Sequence, residues 1–355
     1  MTAWTRQRSG THGTADPARE ADTDGAAGPG RGVALLFPGQ GAQQPGMAVG
    51  LYRADPAFAA HVDVVLALWG AEGRAVRRDW LAAEPAVPLD DLRRAQPLLF
   101  AVDWALGRMV LGWGVRPDAL LGHSVGELAA AVLAGVFDLA DAAEVMEDRI
   151  RRIAGSPPGG MLAVAAAPAQ IEPLLGAGVV VGAVNGPRQV VVAGAREPLA
   201  EAEARLRAAG FVCRRARTLS AFHSPVVAQA SALGLPLLRG MRLRAPVLPL
   251  YSGYTADLLA ADQAVDPEFW AGQPAAPVHF AAALDRVLAT GPMLLVEAGP
   301  GQGLTMLAKR HRGVAAGASA AVALLPARPA PGDAEPAAVR AVRRALEARG
   351  VESRP

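Results

Sequence analysis

The sequence predicts an α/β protein with a parallel sheet, into which a small second unit of strands and helices is inserted. Three observations carry this expectation. Short apolar runs suited to buried strands alternate with helical patterns, and one of them ends in a glycine-flanked turn that opens a helix. Between residues 157 and 219 the texture changes to strand, helix, strand, strand, helix, strand.

Residues 1–31 scatter Thr, Gly, Asp and Arg without period, so a disordered leader or linker is expected there. Order is expected from Gly32-Val33-Ala34-Leu35-Leu36-Phe37, a buried-strand pattern, followed by the glycine-bearing loop Pro38 to Gln43. Helical patterns continue to about residue 113, and Gln96-Pro97 precedes a long apolar helix from Leu98 to Leu111. Ala119-Leu120-Leu121 reads as a strand, and Glu127 to Ala134 as a helix stopped by Gly135. A second helix is expected from an N-cap at Asp138 through Ile153, before Gly155.

In the insert, Met161 to Ala165, Val179 to Val184, Gln189 to Ala193 and Phe211 to Thr218 read as strands. Ala169 to Leu175 and Arg196 to Ala209 read as helices. That order predicts a ferredoxin-like subdomain over 157–219, flanked by the two parts of the large unit, 32–156 and 220–355. In the second part, Val247 to Tyr251 and Met293 to Glu297 are expected strands, and Leu324-Leu325 and a helix over 336–349 close the chain.

Composition bounds the function. At 355 residues and 52% hydrophobic content the chain can build a large core. A net charge of +2 gives no electrostatic reason to expect nucleic acid as a partner. Cys213 is the single cysteine, which excludes an internal disulfide and a thiolate metal cluster, so no metal is expected and a reducing, cytoplasmic setting fits. No apolar run approaches the roughly 20 residues of a membrane helix, and no signal-peptide core precedes the first strand.

Chemistry concentrates at Gly122-His123-Ser124-Val125-Gly126, the pattern of a nucleophile elbow between strand and helix. Such a turn lifts Ser124 Oγ out of the sheet and sets the Val125 N–H at a helix N-terminus, where it can donate to a developing oxyanion. A serine nucleophile needs a base. Of six histidines, His12 falls in the leader, His61 on a polar helix and His311 in a basic run; His123 adjoins Ser124 and should point away from it. His223, where the chain re-enters the large unit, is the first candidate and His279 the second. No aspartate lies between Arg149 and His223, and the glutamates there belong to the insert. A Ser-His dyad whose imidazole is oriented by a backbone carbonyl is therefore expected, which favours transfer over hydrolysis.

These residues resemble the malonyl-CoA:acyl carrier protein transacylases and the acyltransferase domains of polyketide synthases. The resemblance spans residues 33 to 325 and rests on Phe37-Pro38-Gly39-Gln40-Gly41-Ala42-Gln43, on Gly122 to Glu127, and on Glu297-Ala298-Gly299-Pro300-Gly301. It implies an α/β-hydrolase-like core with a ferredoxin-like insert. It further implies that Gln40 completes the oxyanion hole with Val125, that Ser124 carries the acyl group, and that His223 is its base. The family's carboxylate-binding arginine falls at Arg149, where a guanidinium would hold a free carboxylate bidentately.

In the stretch Ser220-Ala221-Phe222-His223, Phe222 agrees with the malonyl-using type while Ser220 departs from it. Gln96 is implied to line the pocket, His123 to flank it, and the backbone near His279 to orient His223. The implied reaction needs no bound cofactor: a malonyl group passes from CoA to the phosphopantetheine thiol of an acyl carrier protein by ping-pong transfer. Carrier proteins are acidic, so Arg151, Arg152, Arg214, Arg215, Arg217, Lys309, Arg310 and Arg312 are candidate docking residues. A monomer acting in trans is expected, with an excised synthase domain as the alternative. Two rival functions are an unusual-acyl transferase or editing hydrolase, and a non-catalytic docking protein.

Overall fold

The computed structural model describes residues 32–330 and 332–349; the expected leader, residues 1–31, lies outside the described residues. The strands are β1 (Gly32–Phe37), β2 (Ala119–Gly122), β3 (Gly159–Val164), β4 (Val179–Gly186), β5 (Gln189–Ala195), β6 (Cys213–Arg215), β7 (Leu250–Ser252), β8 (Asp257–Leu258), β9 (Met293–Glu297) and β10 (Ala320–Ala323). They form two sheets. The larger runs β10-β9-β1-β2-β7-β8, with every pair parallel except β7 with β8. The smaller runs β4-β5-β3-β6 and is antiparallel throughout, the strand order of a ferredoxin-like unit. The chain is thus an α/β-hydrolase-like parallel sheet carrying a ferredoxin-like second sheet.

A central parallel strand is buried on both faces, and β1 is. Val33, Leu35 and Phe37 enter one core with the long helix Leu92–Gly112, while Ala34 and Leu36 enter another with Leu295 and Phe280. The small sheet has its own core, Leu162, Val190 and Val192 against Ile171, Leu199 and Leu206 of its two helices. The small sheet meets the large unit at a parallel bridge between Ala183 of β4 and Val278, which lies in the segment before the helix Phe280–Ala289. There the Val184 N–H donates to Val278 O at 2.8 Å and the Val278 N–H to Gly182 O at 2.9 Å.

Several sequence expectations are corrected. The long helix starts at Leu92, capped by Asp91, and carries Pro97 inside it rather than beginning after it. Proline removes the donor for the Arg93 carbonyl, and the Arg94 guanidinium donates to that oxygen instead, at 3.1 Å. Asp138 stands at the expected cap position of the helix Leu139–Ala154, but its carboxylate is taken by Arg244 at 2.8 and 2.9 Å and caps nothing. The strand expected over Phe211 to Thr218 shrinks to β6. Val247 lies outside β7 and is 72% exposed. Leu324 and Leu325 are buried just beyond β10, so the strand precedes them. The closing helix runs Ala334–Glu347, anchored where the buried Glu335 carboxylate accepts the N–H groups of Ala48 and Leu51 at 2.8 and 2.9 Å.

Candidate active site

The elbow is assembled by glycines that admit backbone where a side chain cannot fit. A Cβ on Gly122 would lie 2.1 Å from Glu127 N, one on Gly126 2.2 Å from Phe37 O, and one on Gly39 2.4 Å from His123 O. These contacts press the β2 turn, the helix Val125–Leu133 and the loop after β1 into one knot. Ser124 sits at its apex with φ 55° and ψ −119°, a conformation that costs a non-glycine residue about 1–3 kcal/mol. The Gly126 N–H closes onto His123 O at 3.1 Å and the Glu127 N–H onto Ser124 O at 2.9 Å, while among the described residues the Val125 N–H has no acceptor. It is the open donor that the elbow pattern led us to expect.

His223 meets the serine: Ser124 Oγ and His223 Nε2 are 2.8 Å apart. The other ring nitrogen, Nδ1, is 2.8 Å from the Ala276 carbonyl oxygen, which fixes Nδ1 as the donor and leaves Nε2 as the acceptor for the serine proton. The orienting carbonyl is therefore that of Ala276, three residues before His279; the His279 backbone N–H donates to Gly253 O at 2.6 Å and its residue caps the helix Phe280–Ala289. Burial pushes the His223 pKa down to about 4, with His123 and Arg149 adding to the shift and the Ala276 bond opposing it. The imidazole is neutral at physiological pH. Like Ser124, His223 has positive φ, 60°, held by a close junction in which a Cβ on Gly182 would lie 3.0 Å from His223 O and 3.1 Å from its Cβ.

Gln40 and Gln96 come together, Gln96 Nε2 donating to Gln40 Oε1 at 2.8 Å. That bond leaves Gln40 Nε2 buried without a partner, a second open donor on the loop packed against Ser124. His123 turns away from Ser124 Oγ, and its Nε2 lies 2.8 Å from Asn185 Oδ1 across the junction of the two sheets. Asn185 in turn lines a cleft of about 790 Å³ between the sheets, bordered by Arg188, Arg310 and Arg312. Phe222 is buried in a small cluster with Ile153 and Val227, its ring 6.2 Å from that of His223. Ser220 is half-buried, its N–H on Thr218 Oγ1 at 3.2 Å.

Arg149, on the helix Leu139–Ala154, interacts electrostatically with Tyr254 and Glu127, and burial lowers its pKa. Glu127 and Tyr254 are groups that reading the sequence did not assign. The Glu127 carboxyl accepts the Gly253 N–H at 2.9 Å and Gln273 Nε2 at 3.2 Å. Burial raises its pKa to about 8, an effect that Ser252, Gly253 and Arg149 only partly offset. Tyr254 stands beside the dyad, its ring 6.1 Å from that of His223. Of the arginines proposed for docking, Arg152 is paired with Asp148 and Arg215 with Glu203, both at 2.6 Å.

Fold and geometry define an α/β-hydrolase-like protein whose serine-bearing elbow is met by a histidine held on a backbone carbonyl. The chain belongs to the acyl transferase domain family, which its sequence matches from residue 34 to residue 348. It is 41% identical over 279 residues to a phenolphthiocerol/phthiocerol polyketide synthase of Mycobacterium tuberculosis, covering 79% of this chain and 19% of that synthase. It is 39% identical over 281 residues to the polyketide synthase GfsB of Streptomyces halstedii, covering 78% of this chain and 5% of GfsB. The chain thus spans a minor part of these relatives.

Among solved structures, the acyltransferase domain from the second module of the salinomycin polyketide synthase superposes with a TM-score of 0.81 at 34% identity, over 90% of this chain and 74% of that one. The acyl transferase domain of SpnD, in complex with 2-(pent-4-yn-1-yl)malonyl, gives 0.82 at 34%, over 92% and 78%. FabD from Acinetobacter baumannii shares the fold at 24% identity, with a TM-score of 0.77 over 89% of this chain and 98% of that one. No helix of the described residues is long and apolar enough to cross a membrane.

Proposed function

We propose that this acyltransferase moves a malonyl-type acyl group from CoA to the phosphopantetheine thiol of an acyl carrier protein through an ester on Ser124, within polyketide or fatty-acid assembly. The observation that carries this reading is the dyad: a neutral imidazole 2.8 Å from Ser124 Oγ, with its far nitrogen on a carbonyl and not on a carboxylate. Nε2 takes the serine proton as Oγ attacks the thioester carbonyl, and the open donors Val125 N–H and Gln40 Nε2 receive the oxyanion. Collapse expels the CoA thiolate, which takes the proton back from His223. The carrier thiol then gives its proton to the same nitrogen, attacks the ester and leaves with the acyl group, and His223 returns the proton to the departing Ser124 Oγ, restoring both residues. Without a carboxylate behind it, the imidazole is a weaker base, sufficient for the more acidic thiol and poor at activating water, which favours transfer.

Arg149 is the counter-charge for the acyl carboxylate. With its pKa near 8, Glu127 is largely protonated at neutral pH and leaves the guanidinium free to pair with substrate. The cleft bordered by Arg188, Arg310 and Arg312 reaches Asn185, which contacts the residue next to Ser124, and its arginines suit a phosphate-bearing pantetheine arm. The malonyl derivative bound by SpnD is consistent with this substrate class.

Intact-protein mass spectrometry after mixing with malonyl-, methylmalonyl- and acetyl-CoA tests the proposal. Wild type should gain a malonyl-type ester and Ser124→Ala none. Arg149→Ala should lose about 2–5 kcal/mol in the acylation step, or about 30-fold to several-thousand-fold in kcat/KM for malonyl-CoA, with little change for acetyl-CoA. Loading of uncharged acyl groups in preference to malonyl by wild type would overturn the substrate class, and an adduct on Ser124→Ala would overturn the nucleophile.

A further inference from the structure

We infer that Tyr254 is the specificity-determining wall of the acyl pocket: fixed between Phe269 and His223 beside Ser124, its phenol ring fills the space that a substituent on C2 of a malonyl-type group would need. The inference rests on the function proposed above and names a limit on its substrate. Tyr254 stands beside the nucleophile: its ring is 6.1 Å from that of His223, whose Nε2 is 2.8 Å from Ser124 Oγ, and Arg149 interacts with it electrostatically. On the proposed function, an acyl group on Ser124 that reaches toward Arg149 runs beside this ring.

A wall sets specificity only if it cannot swing aside, and aromatic rings brace the half-buried Tyr254 on two sides. Its ring lies 6.1 Å from the His223 ring and meets Phe269 edge-on at 6.4 Å. Phe269 is edge-on to Trp270 at 5.0 Å, and Trp270 to Phe137 at 4.9 Å, so a run of aromatic contacts ties the pocket to the core. The backbone is held as firmly. The Tyr254 N–H donates to Ser252 Oγ at 3.0 Å, and the adjacent Gly253 gives its N–H to Glu127 and takes the His279 N–H on its carbonyl. Phe222, the residue that the sequence pointed to for acyl size, flanks His223 as well, its ring 6.2 Å from that of the histidine, and packs into the cluster with Ile153 and Val227.

The test is a competition. Wild type, Tyr254→Val and Tyr254→Phe are each mixed with equal malonyl-CoA and ethylmalonyl-CoA, and the two esters are counted by intact mass at early times. Removing the ring should raise the ethylmalonyl-to-malonyl ratio of kcat/KM by about 10-fold or more, the range that one or two methylenes command in a shaped pocket. Tyr254→Phe, which keeps the ring and loses the hydroxyl, should stay within about twofold of wild type.

A Tyr254→Val ratio within about twofold of wild type overturns the inference, as does a Tyr254→Phe ratio that moves as far as that of Tyr254→Val. Thermal melting checks each variant; if Tyr254→Val is unfolded, Tyr254→Leu takes its place with an expected rise of about threefold or more. Esters on wild type with an unmoved ratio refute the role of Tyr254 alone, whereas no ester on wild type refutes the transferase reading and this inference with it.

Discussion

In the proposed reaction, His223 is a single residue tuned for one step. Its neutral form dominates because burial opposes the charge, and the carbonyl of Ala276 restores only part of what is lost. A base competent above a pKa of about 4 should give a kcat/KM for acylation that stays level from neutral pH down to about 5 and falls only below it. Initial rates across pH 3.5 to 8 check this; an acid limb close to the ordinary histidine value of about 6.5 would contradict it. The same depression makes the unfolded chain the better proton acceptor between the two values, so this histidine's stabilising contribution, present above the unfolded value, is lost as pH falls toward 4. Residue identities were legible where chemistry needs a side chain: Ser124, His223 and the opposed amides of Gln40 and Gln96 could be picked from the sequence. Ala276 could not, because it acts through a carbonyl that every residue possesses. Tyr254 was also hidden, since a tyrosine after a three-residue strand has no pattern to mark its direction.

At the scale of elements, the helix Val125–Leu133 and the loop after β7 act as one body through Glu127. The elbow motif contains this glutamate, yet its spacing says nothing of the Gly253 N–H that it meets 126 residues later. Because its folded pKa is raised from 4.5 to about 8, its protonated form stabilises the fold below the unfolded value, and that contribution is lost as pH rises through about 8. Glu127→Gln keeps an acceptor for the Gly253 N–H and cannot ionise. Its Tm should therefore fall less steeply than that of wild type between pH 5 and 8, as thermal melts in a pH series will show. An identical slope would show that Glu127 does not titrate in the folded protein. Helix boundaries were less legible than helix centres. Pro97 read as a starting point because its lost hydrogen bond is the usual signal, and only the structure shows Arg94 occupying the abandoned carbonyl.

Across the whole molecule, the two sheets share responsibility for the dyad. Val278, on the bridge to Ala183, lies two residues after the carbonyl that orients His223, and Gly182 of β4 presses on His223 itself. Gly182→Val should push the imidazole off its line to Ser124, and a shift of about 1 Å is enough to lower kcat by about 10²-fold. Steady-state transfer rates measured beside a melting curve separate this from unfolding: a normal rate in a folded variant would show that the small sheet does not position the base. The strand order of the insert was legible because its helices and strands follow local periodicity; the bridge was not, since residues 183 and 278 have no local relation.

The chain path through that insert has a further consequence. The Gly159 N–H donates to Leu219 O at 3.0 Å, so the excursion leaves and returns at one point, with Ser124 on the near side and His223 on the far side. In the proposed reaction, a chain that stops before residue 276 holds Ser124 without its base, or holds His223 without the carbonyl that orients it, so the insert can be complete while the dyad is not.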